Sequence, residues 1–220
     1  TFTSGDKTYV NPEPRIALSY KLKSDLALKA SYATMNQYLH LLSNSGVGLP
    51  TDLWVPATEK VKPQNSQQVA LGLAKDFEKQ NFSLTVEGYY KTMNNIIGYK
   101  EGASFLGIQD GGDGAESITW EDNITSGQGI SYGGEVLLQR KQGKLTGWVG
   151  YTMSWTTQQF DELNNGEKFF ARYDRRHDIS VVGIYELKDN ITLSATWVYG
   201  TGNAITLPLS TYELGSLGGN

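Results

Sequence analysis

Six side chains able to bind an anion or a metal crowd together near the carboxyl-terminal end: Arg172, Asp174, Arg175, Arg176, His177 and Asp178. Arginine presents a planar fork of donors that suits carboxylate and phosphate. With the two aspartates and the histidine, this group could hold a metal chelate or an anionic siderophore. The plainer alternative is a charged strand end whose residues are solvated or pair with one another. His40 has no companion ligand nearby, and a chain with 2 His and no Cys is a poor builder of transition-metal centres. The run Asp110-Gly111-Gly112-Asp113-Gly114 suggests a calcium loop, and Glu121 falls at its twelfth position. Gly112, Gly114 and Glu116 then stand where oxygen ligands are needed, so a flexible loop is expected instead. The nucleophile-elbow, Walker, dinucleotide and zinc-protease patterns are all absent, and no carboxylate pair is singled out. Neither catalysis nor a bound cofactor or metal is expected.

The elements that would position these residues follow from the hydrophobic pattern. The chain has 220 residues, 19 basic against 23 acidic, and a formal charge of −4. That balance gives no support to nucleic-acid binding. No run approaches the 18 apolar residues of a membrane helix. Apolar and polar residues instead alternate, as in strands with two unlike faces. Ile16, Leu18, Tyr20 and Leu22 alternate with polar neighbours, pass Ser24-Asp25, and resume at Leu26, Leu28, Ala30 and Tyr32. The same unit recurs around Glu78–Asn81, around Lys141–Lys144 and around Lys188–Asn190. About eight strands of roughly ten residues result, in four hairpins.

The connections are unequal. Links inside the hairpins are short and polar, whereas those between hairpins run over about 37–66, 93–128 and 157–177, with a tail from about 201. In an up-and-down sheet this puts every short turn at one end and every long segment at the other. Outer-membrane barrels keep that asymmetry. Tyr20, Phe77, Phe82, Trp148 and Tyr185 lie near the short turns, while Tyr32, Tyr38, Tyr89, Tyr90, Tyr132, Trp155, Trp197 and Tyr199 lie toward the other end. Two such bands match the aromatic girdles of a membrane barrel. The opposite faces carry residues suited to a wet lumen, among them Arg15, Lys21, Lys29, Gln68, Thr85, Glu87, Glu135, Ser154 and Ser180.

Three blocks carry a family resemblance. The first is Tyr32–Thr58, with Tyr38-Leu39-His40-Leu41-Leu42-Ser43 and Leu49-Pro50-Thr51-Asp52-Leu53-Trp54-Val55-Pro56. The second runs from Val61-Lys62-Pro63-Gln64 to Glu87-Gly88-Tyr89-Tyr90-Lys91-Thr92-Met93. The third joins Tyr173-Asp174-Arg175-Arg176-His177-Asp178 to Trp197-Val198-Tyr199-Gly200-Thr201-Gly202-Asn203 and Ile205-Thr206-Leu207-Pro208. Together they resemble the carboxyl-terminal half of the barrel in TonB-dependent outer-membrane receptors of the Bacteroidetes type.

The resemblance implies an all-β fold, an antiparallel up-and-down transmembrane β-barrel. The chain would supply about eight of roughly 22 strands, the number seen in plugged outer-membrane transporters. Residues 1–220 then read as one partial barrel domain, a fragment: no plug or TonB box precedes Thr1, and the chain ends at Gly218-Gly219-Asn220 without the family's terminal aromatic strand. The implied function is import of a scarce nutrient of the siderophore, cobalamin, oligosaccharide or peptide class. Implied partners are outer-membrane lipid, the nutrient, and the TonB energy-transducing complex reached through a plug domain. The sequence leaves open whether a surface lipoprotein caps the barrel. A soluble β-sandwich acting as a carbohydrate-binding or adhesive module is the competing expectation, with Trp54, Trp120 and Trp155 as sugar platforms.

Overall fold

The computed structural model describes residues 1–42, 53–100 and 120–204. The strands, in chain order, are β1 (Phe2–Ser4), β2 (Lys7–Tyr9), β3 (Arg15–Lys23), β4 (Leu26–Gln37), β5 (Leu39–Leu42), β6 (Leu53–Pro56) and β7 (Gln64–Phe77). They continue as β8 (Phe82–Tyr99), β9 (Ile124–Arg140), β10 (Leu145–Phe160), β11 (Phe169–Phe170), β12 (His177–Lys188) and β13 (Ile191–Gly200). Eight of them form one open antiparallel sheet in the order β13-β12-β10-β9-β8-β7-β4-β3, with β11 appended to β10. These are the four expected hairpins, laid side by side in chain order. No described helix is long and apolar enough to cross a membrane, which says nothing of crossing by strands.

Pairing register fixes which side chains share a face, because partnered residues point the same way. One transverse row reads Tyr20, Leu28, Leu73, Val86, Val136, Tyr151, Ile179 and Tyr199. The row beside it on the other face reads Ser19, Lys29, Gly72, Glu87, Glu135, Thr152 and Asp178. The alternation seen in each hairpin is therefore kept in phase across the whole sheet. Of the expected girdle residues on the paired strands, two are exceptions: Trp148 pairs with Gln139, and Tyr89 with Ala70, which puts both on the polar face.

Most of the apolar face is bare. Leu18, Leu71, Val86, Val149, Leu193 and Trp197 are all exposed, Leu18 to 67%. Among the described residues only the small β5–β6 sheet packs on this face, at one end of it, so the β-sandwich expectation fails on architecture. A soluble monomer rarely leaves an apolar surface of this extent uncovered. A bilayer covers it without any protein layer.

The buried residues collect elsewhere. A membrane strand needs about 9–11 residues, yet β8 has 18, β9 has 17 and β10 has 16. They overshoot at the end that carries the long connections. Beyond the bilayer both faces meet water, so both must be covered by protein. On the apolar side the β5–β6 hairpin contributes Leu42 and Val55, which with Val61 bury Ile97, Tyr99 and Ile124. On the polar side Met93, Ile96 and Phe160 form a second cluster with Leu163 and Phe169.

One bulge makes this double coverage work. The pairing shifts between Asn94 and Ile96, leaving Asn95 in a left-handed conformation at φ 57°. Its side-chain amide donates to the Pro63 carbonyl at 3.0 Å. The extra residue sends Met93 and Ile96 to one face and Ile97 and Tyr99 to the other.

Candidate functional site

The charged group near residue 175 sits where β10 meets the start of β12, at the overshooting end. Asp174 is its buried centre, 7% exposed. Its Oδ1 accepts the Thr156 N–H at 2.6 Å, and its Oδ2 accepts from Arg176 Nη2 at 3.1 Å. The carboxylate thus satisfies a backbone donor that β10 leaves unpaired where β12 has not yet begun. Arg176 also donates to the Ser154 carbonyl at 3.1 Å and lies over the rings of Trp155 and Phe170, at 4.6 Å and 5.2 Å. This guanidinium is held on one side by charge and on the other by aromatic faces.

The next residues diverge. His177 pairs with Met153 and so belongs to the apolar face, where its Nδ1 and the Tyr151 hydroxyl lie 2.9 Å apart. Asp178 pairs with Thr152 and with Gly200 on the polar face. There it accepts from Arg175 Nη1 at 3.0 Å, and the Arg175 side chain crosses directly over Gly200. Arg172 is exposed on the loop before Asp174. The six residues are thus neighbours divided by the sheet. Arg175 and Asp178 face the polar side, Arg176 and His177 the apolar side, and Asp174 clasps the strand edge between them. The sequence showed the cluster but not its division, because strand alternation begins only at His177.

The polar face offers a second feature, which sequence reasoning missed. At the overshooting end of β4, β7 and β8 an open cavity of about 590 Å³ is lined by Met35, Gln37, Gln64, Ser66 and Lys91, with Phe2, Tyr38 and Leu39 over its rim. Phe2 and Tyr38 stack with ring centres 5.0 Å apart. The β1–β2 hairpin that carries Phe2 is anchored by Tyr9, whose hydroxyl donates to the Thr58 carbonyl at 2.6 Å. The spacing of Phe2 from Tyr38 in the chain gave no signal that they would meet.

His40, on the β5–β6 hairpin, is 2% exposed, and neither ring nitrogen makes a hydrogen bond of good geometry among the described residues. Burial pushes its pKa down, against a smaller upward pull from the Lys62 backbone. It is a neutral packing residue with no metal-binding companions among the described residues. No group of His, Asp and Glu among the described residues is arranged to hold a metal ion. The Asp110–Gly114 run lies outside the described residues. The three tryptophans do not make a sugar platform. Trp120 packs against the hairpin core, Trp155 stacks on Tyr132 at 5.3 Å beneath Arg176, and Trp54 stands exposed on β6.

Comparison with known proteins agrees with this architecture. A family model described as TonB dependent receptor-like, β-barrel, matches residues 1–216. Among solved structures, the ferripyoverdine receptor of the outer membrane of Pseudomonas aeruginosa bound to ferripyoverdine is similar, with a TM-score of 0.54 and 12% identity. That match covers 90% of this chain and 27% of the receptor. The complex of FpvAI with pyocin S2 gives a TM-score of 0.54 at 13% identity, over 83% of this chain and 22% of the other. The chain thus spans about a quarter of the length of these structures. None of the curated proteins matches. Exposed apolar rows, a polar inner face and overshooting strands at one end agree with the matched family: the chain belongs to the TonB-dependent receptor β-barrel family, whose members lie in the outer membrane of Gram-negative bacteria.

Proposed function

We propose that residues 1–220 are a partial barrel domain, from the carboxyl-terminal part of a Bacteroidetes-type transporter that binds and imports a scarce nutrient. The observation that carries this reading is the two-faced wall, apolar toward lipid and polar toward a lumen, with strands that overrun the bilayer at one end. No bond is made or broken in this segment; its work is capture and passage. The energy would come from the TonB complex through a plug domain elsewhere in the full protein. Iron chelates, cobalamin, oligosaccharides and peptides are the nutrient classes to test. Ferripyoverdine, named for one structural neighbour, puts iron chelates first.

Within the charged rim, the division by face supports a narrower assignment. Arg175 and Asp178, with the exposed Arg172 of the preceding loop, would meet the nutrient, while Asp174, Arg176 and His177 would hold the rim in shape. The test is uptake by a strain lacking the full gene, supplied in turn with each nutrient class. Loss of uptake for one class, restored by the wild-type gene but not by a version lacking its TonB-contacting segment, is the expected result. Unchanged uptake of every class would overturn the transporter reading.

A further inference from the structure

We infer that the cavity at the end of β4, β7 and β8 is a binding site for a ring-bearing anion, with Lys91 taking the negative charge and the Phe2–Tyr38 pair taking the ring. The inference rests on the transporter reading for its biological setting, but not for its chemistry. Met35, Gln37, Gln64 and Lys91 belong to the polar face: Gln37 pairs with Gln64, Met35 with Ser66, and Lys91 with Gln68. The cavity therefore opens toward the inside of the wall, on the side a passing solute would meet. Its volume of about 590 Å³ lies in the range of small-molecule sites.

Lys91 is the decisive residue. It is half-buried and makes no ion pair among the described residues. Its cross-strand partners on either side are Gln68 and Ser131, both neutral. Glu87, the nearest acid on the same strand, lies four residues away, about 13 Å along an extended chain. The Glu87 carboxylate also leans over Gly72, toward β7. Glu13 touches the lining by accepting the N–H of Asn36 at 2.8 Å, and it is itself paired with Arg15 at 3.4 Å. Lys29 is unlike Lys91, since it shares its own hollow on the same face with Glu87. A half-buried ammonium with no counter-ion concentrates anions beside it. The stacked pair of rings and the Met35 thioether give the same cavity an apolar wall for a planar group. The amides of Gln37 and Gln64 supply neutral hydrogen bonds to what lies between.

The test uses the purified full-length receptor in detergent and three probes: 2-naphthoate, the neutral 2-naphthalenemethanol, and acetate. Binding is read by titration calorimetry, so it does not depend on transport. The expected order is naphthoate first, naphthalenemethanol weaker and acetate weakest. Lys91→Gln is expected to weaken naphthoate about tenfold, the loss of one charge-assisted hydrogen bond, and to leave naphthalenemethanol unchanged. Lys91→Arg should restore most of the naphthoate affinity. Tyr38→Ala should weaken both ring probes, and Lys29→Gln neither. Heat-modifiable gel migration checks that each variant still forms a barrel. The inference is overturned if naphthoate does not bind the wild-type receptor at millimolar concentration, if Lys91→Gln leaves it unchanged, or if Lys29→Gln weakens it as much. A receptor that binds naphthoate through Lys91 but supports no uptake would sink the transporter reading and leave the site standing.

Discussion

At the scale of single residues, the rim is organised around Asp174. Its carboxylate joins the Thr156 amide of β10 to the Arg176 guanidinium, and Arg176 in turn rests on Trp155 and Phe170. Asp174→Ala strands a buried N–H and a partly buried cation together, so it should cost about 1–3 kcal/mol. Hydrogen exchange at the Thr156 amide should accelerate accordingly, and exchange left at the wild-type rate would refute the clasp. His40 gives a pH dependence. Because burial depresses its folded pKa, below the ordinary value of 6.5 the unfolded hairpin takes up a proton that the folded one refuses. Stability of the β5–β6 hairpin should therefore fall as pH drops below 6.5 and level off beneath the folded pKa. Hydrogen exchange across Leu53–Pro56 measured from pH 7.5 to 5 checks this, and His40→Leu should remove the dependence. The charged cluster could be found in the sequence because its residues are adjacent. Its division between faces could not, because Asp174 and Arg175 precede the strand and follow no alternation.

At the scale of elements, strand pairing was legible wherever alternation ran unbroken. All four hairpins and their short turns sit where the pattern places them. The ends of β8 and β9 were not legible, because the bulge at Asn95 reverses the alternation, putting Ile96 on the polar side with Met93 and Ile97 on the apolar side. A two-residue apolar run then looks like the end of a strand, when it marks the point where both faces become covered. The β5–β6 hairpin lay hidden inside an expected loop for a related reason: its apolar residues are spent on covering that overshoot. Two substitutions test the element-level account. A Cβ at Gly147, where φ is +143°, would collide with the Val182 carbonyl oxygen. Gly147→Ala should therefore weaken the β10–β12 pairing by about 1–3 kcal/mol, read as a lower unfolding midpoint of the full-length barrel in detergent. Val86→Arg, on the apolar face, should destabilise the folded barrel by up to about 2–4 kcal/mol, depending on its depth in the bilayer. Thr85→Arg, one residue away on the polar face, should cost far less. Equal effects at 85 and 86 would contradict the register.

At the scale of the whole molecule, a single sheet keeps an apolar face on one side and a polar face on the other. Modest hydrophobicity, 39% of residues, is enough for this because alternate positions collect it on one face. The cavity beside Lys91 and the Arg175–Asp178 pair lie on the polar face, the face the proposed function gives to the solute. The most direct measurement is site-directed spin labelling of the full-length protein in lipid, with labels at Leu84, Val86, Val149 and Val181 on one face and at Thr85 and Ser180 on the other. The first four are expected to be accessible to oxygen dissolved in the bilayer, and the last two to a water-soluble relaxant. Labels at 84, 86, 149 and 181 that report water, with 85 and 180 reporting lipid, would turn the wall inside out and contradict this assignment of faces.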